Sequence, residues 1–370
     1  MTTIVENTNI FATVGYSNRN QNAGATEPDF QTTFAEISAF LGIVLFMGIV
    51  KLPRISMYFS RDIRLHQAGV ASVFSKHQFF KILKFFHVAD PRDMPDEDAP
   101  EYKLFRIKPV IDTVSETFTK SYNPHREQSI DEVMVKFKGR LKFLQYMPMK
   151  PCKRGIKIWS RCDASNGYLC QFDVYTGKND EEDNAGAPAD QSCPFKGLSA
   201  RVVYNLTRSL SGKNYMVFMD NVFSGIDLFL KLFEEQIFCC GTVREYRKGF
   251  PPALKGVKLA NQGDSKFARF QNLVCTVWKD KAKRKNVALL STQFTPNQFE
   301  KVERRKKNPG RNSGFTKIMI DKPRAISHYN KYMGGVDIHD QAHRYYNVTL
   351  KSVKWWKYLF FFFYDVSIIN

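Results

Sequence analysis

Asp337 and Asp340 stand three residues apart, directly after Gly334-Gly335, in the run MGGVDIHDQ from Met333 to Gln341. On a helix, residues at this spacing share a face, so the two carboxylates can converge on one point. The glycine pair removes side-chain bulk and lets another backbone or ligand approach. In a chain of formal net charge +19, convergent acids point to a metal site rather than a solubility patch. Two further acids are placed to complete it. Asp131 lies in the alternating stretch SIDEVMVKF, which predicts a strand with Asp131, Val133, Val135 and Phe137 on one face. Asp220 ends the apolar run MVFM, at the carboxyl edge where α/β sheets present functional groups. The chemistry such a set serves is in-line cleavage and joining of phosphodiesters. Hard carboxylate oxygens would hold Mg²⁺, with Mn²⁺ as a substitute, beside the attacking and leaving oxygens.

Each acid also has a plain structural reading. Asp131 can be a hydrogen-bonded edge residue, Asp220-Asn221 can cap the next helix, and Asp337 with Asp340 can pair with Arg344. His339 and His343 are four apart, a metal-ligand spacing, but without cysteine support they read as incidental to a carboxylate site. From the residues alone these alternatives stay open.

The elements that must position the acids follow from hydrophobic periodicity. Residues 1–30 are polar and predict a flexible lead. From Phe34 to Val88 the pattern is helical, with Pro53 and Pro91 as punctuation, and a further helix covers Phe105–Tyr122. Strand patterns begin after Pro124, with IKIWSRC and YLCQFDVYTG forming a hairpin. Asn179–Asp190 reads as an acidic surface loop. NYMVFMDN and IFCCGTVR read as buried strands flanking the amphipathic helix GIDLFLKLFEEQ. Residues 246–323 are basic and strand-like, an inserted β-rich domain, before the helix of Asp337 and a last apolar helix at SVKWWKYLFFFFYDVSII. The expectation is an α/β chain. A strand acid, a strand-end acid and helix acids over 127–245 and 324–346 form the layout of a ribonuclease-H-like nuclease site, with the β-rich insertion at 246–323 and a helical unit at 31–126.

Lys and Arg number 55 against 36 Asp and Glu, an excess that favours a polyanionic partner, nucleic acid first. Lys138, Arg140, Lys150, Lys153, Arg154 and Lys157 follow Asp131 closely enough to hold a phosphate backbone. Lys281, Lys283, Arg284 and Lys285 fall in a hairpin turn beside Trp278, which could support a flipped base by stacking. Trp355 and Trp356 read as core. Seven cysteines without a C-x-x-C pair fit a reducing compartment. Leu41–Val50 and Leu359–Tyr364 are too short to span a bilayer, so no membrane is expected. No RNP-type motif supports an RNA-binding reading.

SIDEVMVKFKGR, QYMPMKPCKRGIKIWSRCD, MDNVFSGIDLFLKL, GTVREYRKGFP, HYNKYMGGVDIHDQ and SVKWWKYLFFFFYDVSIIN occur in this order between Ala35 and Asn370. Together they resemble the piggyBac transposase family. The resemblance implies that Asp131, Asp220 and Asp337 form a catalytic triad, with Asp340 also required. It implies a ribonuclease-H-like catalytic domain (127–245 and 324–346) interrupted by the insertion (246–323), and a helical dimerisation and DNA-binding domain (31–126, completed by 347–370). It implies cut-and-paste transposition through hairpin intermediates at TTAA targets, on double-stranded DNA, by a homodimer in the nucleus. It also implies more helix and a cysteine-rich zinc domain beyond the position of Asn370, which this sequence does not supply, so the final helix is expected to lack partners for its apolar face. The expectation is a Mg²⁺-dependent transposase core. The alternative is a domesticated or truncated DNA-binding protein without catalysis.

Overall fold

The computed structural model describes residues 1–20, 30–177, 193–281, 283–308, 314–348 and 350–370, with side chains at all of these except 15–20, 306 and 307. The acidic insert expected at Asn179–Asp190 lies outside the described residues. The chain divides into two compact units. One contains Met1–Ser121, Met134–Ile156 and Gln341–Asn370; the other contains Tyr122–Val133 and Lys157–Asp340.

The first unit is helical. Its first element, α1 (Thr2–Asn20), replaces the flexible lead expected at 1–30 over those residues, and 21–29 lie outside the described residues. Phe11 and Ala12 are buried, Asn7 Nδ2 donates to Val88 O at 3.0 Å, and the Thr8 hydroxyl donates to His87 O at 3.2 Å. The polar residues that suggested disorder satisfy buried backbone carbonyls instead. α2 (Phe34–Ile49) starts on a capping box between Thr33 and Glu36 and buries Ile37, Phe40, Val44 and Met47. α3 (Ala68–Ala71), α4 (Lys76–Phe85) and α5 (Lys108–Ser121) follow.

Strands begin with β1 (Glu127–Lys136), β2 (Gln145–Tyr146), β3 (Arg154–Asp163) and β4 (Leu169–Val174). β3 and β4 pair antiparallel, forming the expected hairpin, and β2 pairs the first residues of β3. Next come α6 (Leu198–Thr207), β5 (Met216–Met219), α7 (Ile226–Glu234) and β6 (Phe238–Thr242). β1, β5 and β6 run parallel to one another. Alternate residues of β5 serve opposite faces. Val217 and Met219 pack with Val202, Val203, Leu228 and Phe229 of α6 and α7. Met216 and Phe218 pack instead with Ala325 and Ile326 of α8 (Arg324–Tyr332). Helices on both faces explain why this strand is an unbroken apolar run.

The basic segment contributes β7 (Ser265–Phe270), β8 (Leu273–Trp278), β9 (Val287–Ser291), β10 (Phe299–Lys307) and β11 (Phe315–Pro323). The separate insertion domain expected at 246–323 is corrected in part. β9 pairs antiparallel with β6, so β9, β8 and β7 extend the main sheet, because the outer edge of β6 offers unpaired backbone groups. Among the described residues β10 and β11 form a separate two-stranded sheet. After α8 the chain continues into α9 (Gly335–Tyr346) and α10 (Trp355–Ile369).

Within the first unit α10 does not lack partners, contrary to expectation. Phe360 packs edge-on against Phe86 at 4.7 Å, the Tyr364 hydroxyl donates to Leu41 O at 3.0 Å, and Leu359, Phe363 and Val366 are fully buried. Trp356 is buried as expected, and Trp355 meets Phe143 edge-on. Among the described residues no helix is long and apolar enough to cross a membrane.

Candidate active site

Parallel pairing of β1 with β5 sets Ile130 opposite Met219, so the next residues along, Asp131 and Asp220, leave neighbouring strands at the same level. Ile130 and Met219 both face α6 and α7, so alternation turns both acids toward the α8 face. Both are half-buried. Tyr329 of α8 packs on the same face of the sheet. Burial above all pushes its hydroxyl up to about 12, a contact to the Thr242 hydroxyl at 3.4 Å acts the other way, and the charges of Asp220, Cys240 and Asp131 add smaller upward pushes.

The turn after β5 fixes Asp220. Its Oδ1 accepts from Val222 N at 2.8 Å, and its backbone carbonyl accepts from Ser224 N at 3.1 Å and the Ser224 hydroxyl at 2.9 Å. Gly241 of β6 is required beside this turn, since a Cβ there would lie 2.2 Å from Ser224 Oγ. Arg244 Nε donates to Asn221 Oδ1 at 2.6 Å, and Arg247 donates to the carbonyls of Asn221 and Val222. Asp220 thus closes a braced strand end and does not cap α7, whose N-cap position is Gly225.

Asp337 and Asp340 lie on α9 as the sequence predicted, Asp337 exposed in its first turn and Asp340 half-buried one turn on. Of the glycine pair, only Gly335 meets a close surface. A Cβ there would lie 2.4 Å from Ser129 Oγ and 2.9 Å from both Ala164 Cα and Asp163 O, whereas Gly334 has open space. Ser129 and Asp131 share a face of β1, so α9 begins against the same strand face that carries Asp131. His339 is buried with Nδ1 3.2 Å from Gly167 O, and His343 lies 3.4 Å from the buried Asp365 carboxylate. His339 thus joins α9 to the turn at Gly167.

Asp163 escaped the sequence reading, although it ends a predicted strand just before the turn ASNG. It is fully buried and collects five contacts: the Tyr122 hydroxyl at 3.0 Å, His125 N at 2.7 Å, His125 Nδ1 at 3.0 Å, Ser165 N at 2.9 Å and the Ser165 hydroxyl at 2.6 Å. Burial raises its pKa, but the Ser165 and His125 donors outweigh it and hold the carboxyl below its ordinary value. Its backbone forms part of the seat of Gly335, so it positions the start of α9.

The carboxylates suit a hard divalent ion, which binds through one or two of them and completes its shell with water and substrate oxygens. Among the described residues no group of three His, Cys, Asp or Glu side chains comes close enough to hold a metal ion. The structure thus brings Asp131 and Asp220 together and sets α9 nearby, without closing a three-acid cage.

The basic residues divide between the two units. In the first, Lys138, Arg140, Lys153 and Arg154 are exposed and Lys150 is half-buried. Arg140 and Arg154 line a concavity of about 650 Å³ with Lys142, Gln145 and Tyr146. In the second, Arg284 and Lys285 line a concavity of about 770 Å³ with Arg244, Lys258 and Lys279, and Lys283 is exposed. Two expectations are corrected. Lys157 is half-buried with its ammonium 4.7 Å from the Trp159 ring and 4.6 Å from the Tyr175 ring, so aromatic faces occupy it. Trp278 is 2% exposed and donates through Nε1 to Asp321 O at 2.9 Å, which leaves no face on which a base can stack.

Comparison with known proteins places these features in a lineage. A family model described as Transposase IS4 matches residues 5–370. PiggyBac transposable element-derived protein 3 of Homo sapiens is 28% identical over 347 residues, covering 91% of this chain and 54% of that protein. PiggyBac transposable element-derived protein 5 of Homo sapiens is 24% identical over 350 residues, covering 92% of this chain and 62% of that protein. The chain thus spans little more than half the length of these relatives. A cryo-EM structure of the piggyBac transposase synaptic complex with hairpin DNA matches the fold with a TM-score of 0.78, at 24% identity, covering 100% of this chain and 70% of that one.

Proposed function

This chain belongs to the piggyBac-type transposase family, and from that premise we propose that it is a transposase core that cleaves and transfers DNA strands at transposon ends with TTAA targets. The observation that carries the reading is the parallel register Ile130↔Met219, after which Asp131 and Asp220 follow at the same level of adjacent strands. Strand order β4-β3-β1-β5-β6, with β5 and β6 parallel to β1, supports a ribonuclease-H-like core.

Asp131 and Asp220 would hold Mg²⁺, or Mn²⁺ in its place, with Asp337 as third ligand and Asp340 as its auxiliary. When bound, the ion lowers the pKa of an attacking water or hydroxyl and stabilises the leaving oxygen. The chain's own residues do the rest. The braced turn after β5 fixes the Asp220 carboxylate, and the seat of Gly335 on Ser129 sets the start of α9. Incoming phosphate supplies oxygens that a two-carboxylate site still needs, which fits a site that closes on its substrate. Lys138, Arg140, Lys150, Lys153 and Arg154 in one unit, and Lys283, Arg284 and Lys285 in the other, would carry the DNA backbone. A homodimer acting in the nucleus completes the proposal.

The second reading, a DNA-binding protein without catalysis, draws on the unclosed acid cluster. One experiment separates them. The chain and its Asp220→Asn variant are incubated with Mn²⁺ and a labelled TTAA-containing duplex, with binding followed in parallel. Metal-dependent nicking lost in the variant supports catalysis. Binding without nicking in either protein supports the second reading, and absence of both sinks the DNA assignment.

A further inference from the structure

Among the described residues β10 and β11 pair only with each other, in nine consecutive antiparallel pairs from Phe299↔Pro323 to Lys307↔Phe315. At about 3.3 Å per residue the ribbon is roughly 30 Å long. Its base is anchored in the second unit. Ile320 is buried, Trp278 Nε1 donates to Asp321 O at 2.9 Å, and Arg304 pairs with Asp280 at 2.9 Å. Toward its distal end Arg305, Phe315, Thr316 and Lys317 are all exposed, so that part stands in solvent on both faces.

Charge is segregated along this arm. The two strands hold seven Lys and Arg against three acids, and the run Arg304-Arg305-Lys306-Lys307 lies opposite Phe315–Ile318 in register. The acids Glu300 and Asp321 belong to the base, and Glu303 is matched by Lys317 at 3.0 Å. Phe315 and Met319 are 65% and 60% exposed, large apolar side chains that the arm itself does not bury.

We propose that this ribbon is a DNA-reading arm that lies in the major groove of a duplex, resting on the DNA assignment made above. The major groove admits a two-stranded ribbon, about 12 Å being its width. Arg305 and Lys317 then meet the flanking phosphates, and Phe315 and Met319 meet base edges, where a thymine methyl is an apolar partner. The exposed Lys317–Glu303 pair is weak enough to open for a phosphate.

The test uses the whole chain and a fluorescein-labelled duplex DNA of about three helical turns. Anisotropy is measured against salt for wild type, for Arg305→Ala with Lys317→Ala, and for Phe315→Ala. The double variant should bind about tenfold more weakly, and its log–log salt slope should fall by about 2, close to 1 per lost phosphate contact. Methylation of guanine N7 should interfere with wild-type binding, and duplex RNA, whose major groove is too narrow, should compete poorly. Melting temperatures should match, since the replaced side chains are exposed. Equal affinity and slope in the variants, or full competition by duplex RNA, overturns the arm while leaving the DNA assignment standing. Failure of the wild type to bind the duplex overturns both.

Discussion

Gly335 begins α9 so close to Ser129 of β1 that a methyl group on it would lie 2.4 Å from the serine hydroxyl. Alanine inside a helix normally gains about 1 kcal/mol over glycine. Here the clash includes backbone atoms of Asp163 and Ala164, which cannot rotate away. Gly335→Ala should therefore destabilise the fold by about 1–3 kcal/mol, the usual cost of overpacking. Gly334→Ala, with nothing within 4 Å, should not. Urea unfolding of the two variants decides it: equal midpoints would show that α9 is not seated on β1 as described.

Asp163 ties Tyr122, His125 and Ser165 into the seat of that glycine. Its folded pKa lies below the ordinary value, so its contribution to stability is present above the unfolded pKa of about 3.9 and is lost as pH falls through the folded one. Asp163→Asn keeps the shape and removes the charge. It should be less stable than wild type at neutral pH by roughly 1–3 kcal/mol, the cost of disturbing buried charge-assisted hydrogen bonds. The gap should shrink as pH is lowered from about 5 toward and below the unfolded pKa. A gap independent of pH would show that the carboxylate charge plays no part.

Local pattern carried some of this site and not the rest. MVFM showed itself as a strand covered on both faces, and the GGVD run as a helix start, because burial dictates residue type directly. The strand pairing that brings Asp131 beside Asp220 is a contact between distant segments, which alternation within either segment does not encode. α1 was hidden because Asn7 and Thr8 are polar by type yet bond buried carbonyls. Trp278 departs from its pattern for a related reason. Its place next to a basic turn suggested exposure, but its strand runs under β11, where its indole N–H meets Asp321. Lys157 likewise carries a basic label while its ammonium rests on two aromatic rings.

The acid pair predicts different outcomes for its members and its neighbour. Asp131→Asn or Asp220→Asn should weaken Mn²⁺ binding, measured by calorimetry, and abolish metal-dependent nicking. The Tyr329 hydroxyl meets Thr242 and not a carboxylate, so Tyr329→Phe should leave Mn²⁺ affinity close to wild type. In the Asp220→Asn variant the Tyr329 hydroxyl should titrate lower than in wild type, because one of the charges that raise it is gone. An unchanged tyrosine titration would place the carboxylate and the phenol too far apart for the site described.

Lys357 gives the first unit its own pH signature. It is 3% exposed on α10, its ammonium donates to Leu83 O, and burial, then the charge of Lys354, lower its pKa to about 7. The unfolded chain binds this proton up to about pH 10.4. Between these values the unfolded state holds more protons, so wild-type stability should rise with pH across that window. Lys357→Met keeps the length of the stem and removes the ionisable group. The variant should be more stable than wild type near pH 7, by about 1–3 kcal/mol, and should lose that advantage toward pH 10. Thermal unfolding across the window tests this: parallel pH profiles for the two proteins would show that Lys357 stays charged in the folded state.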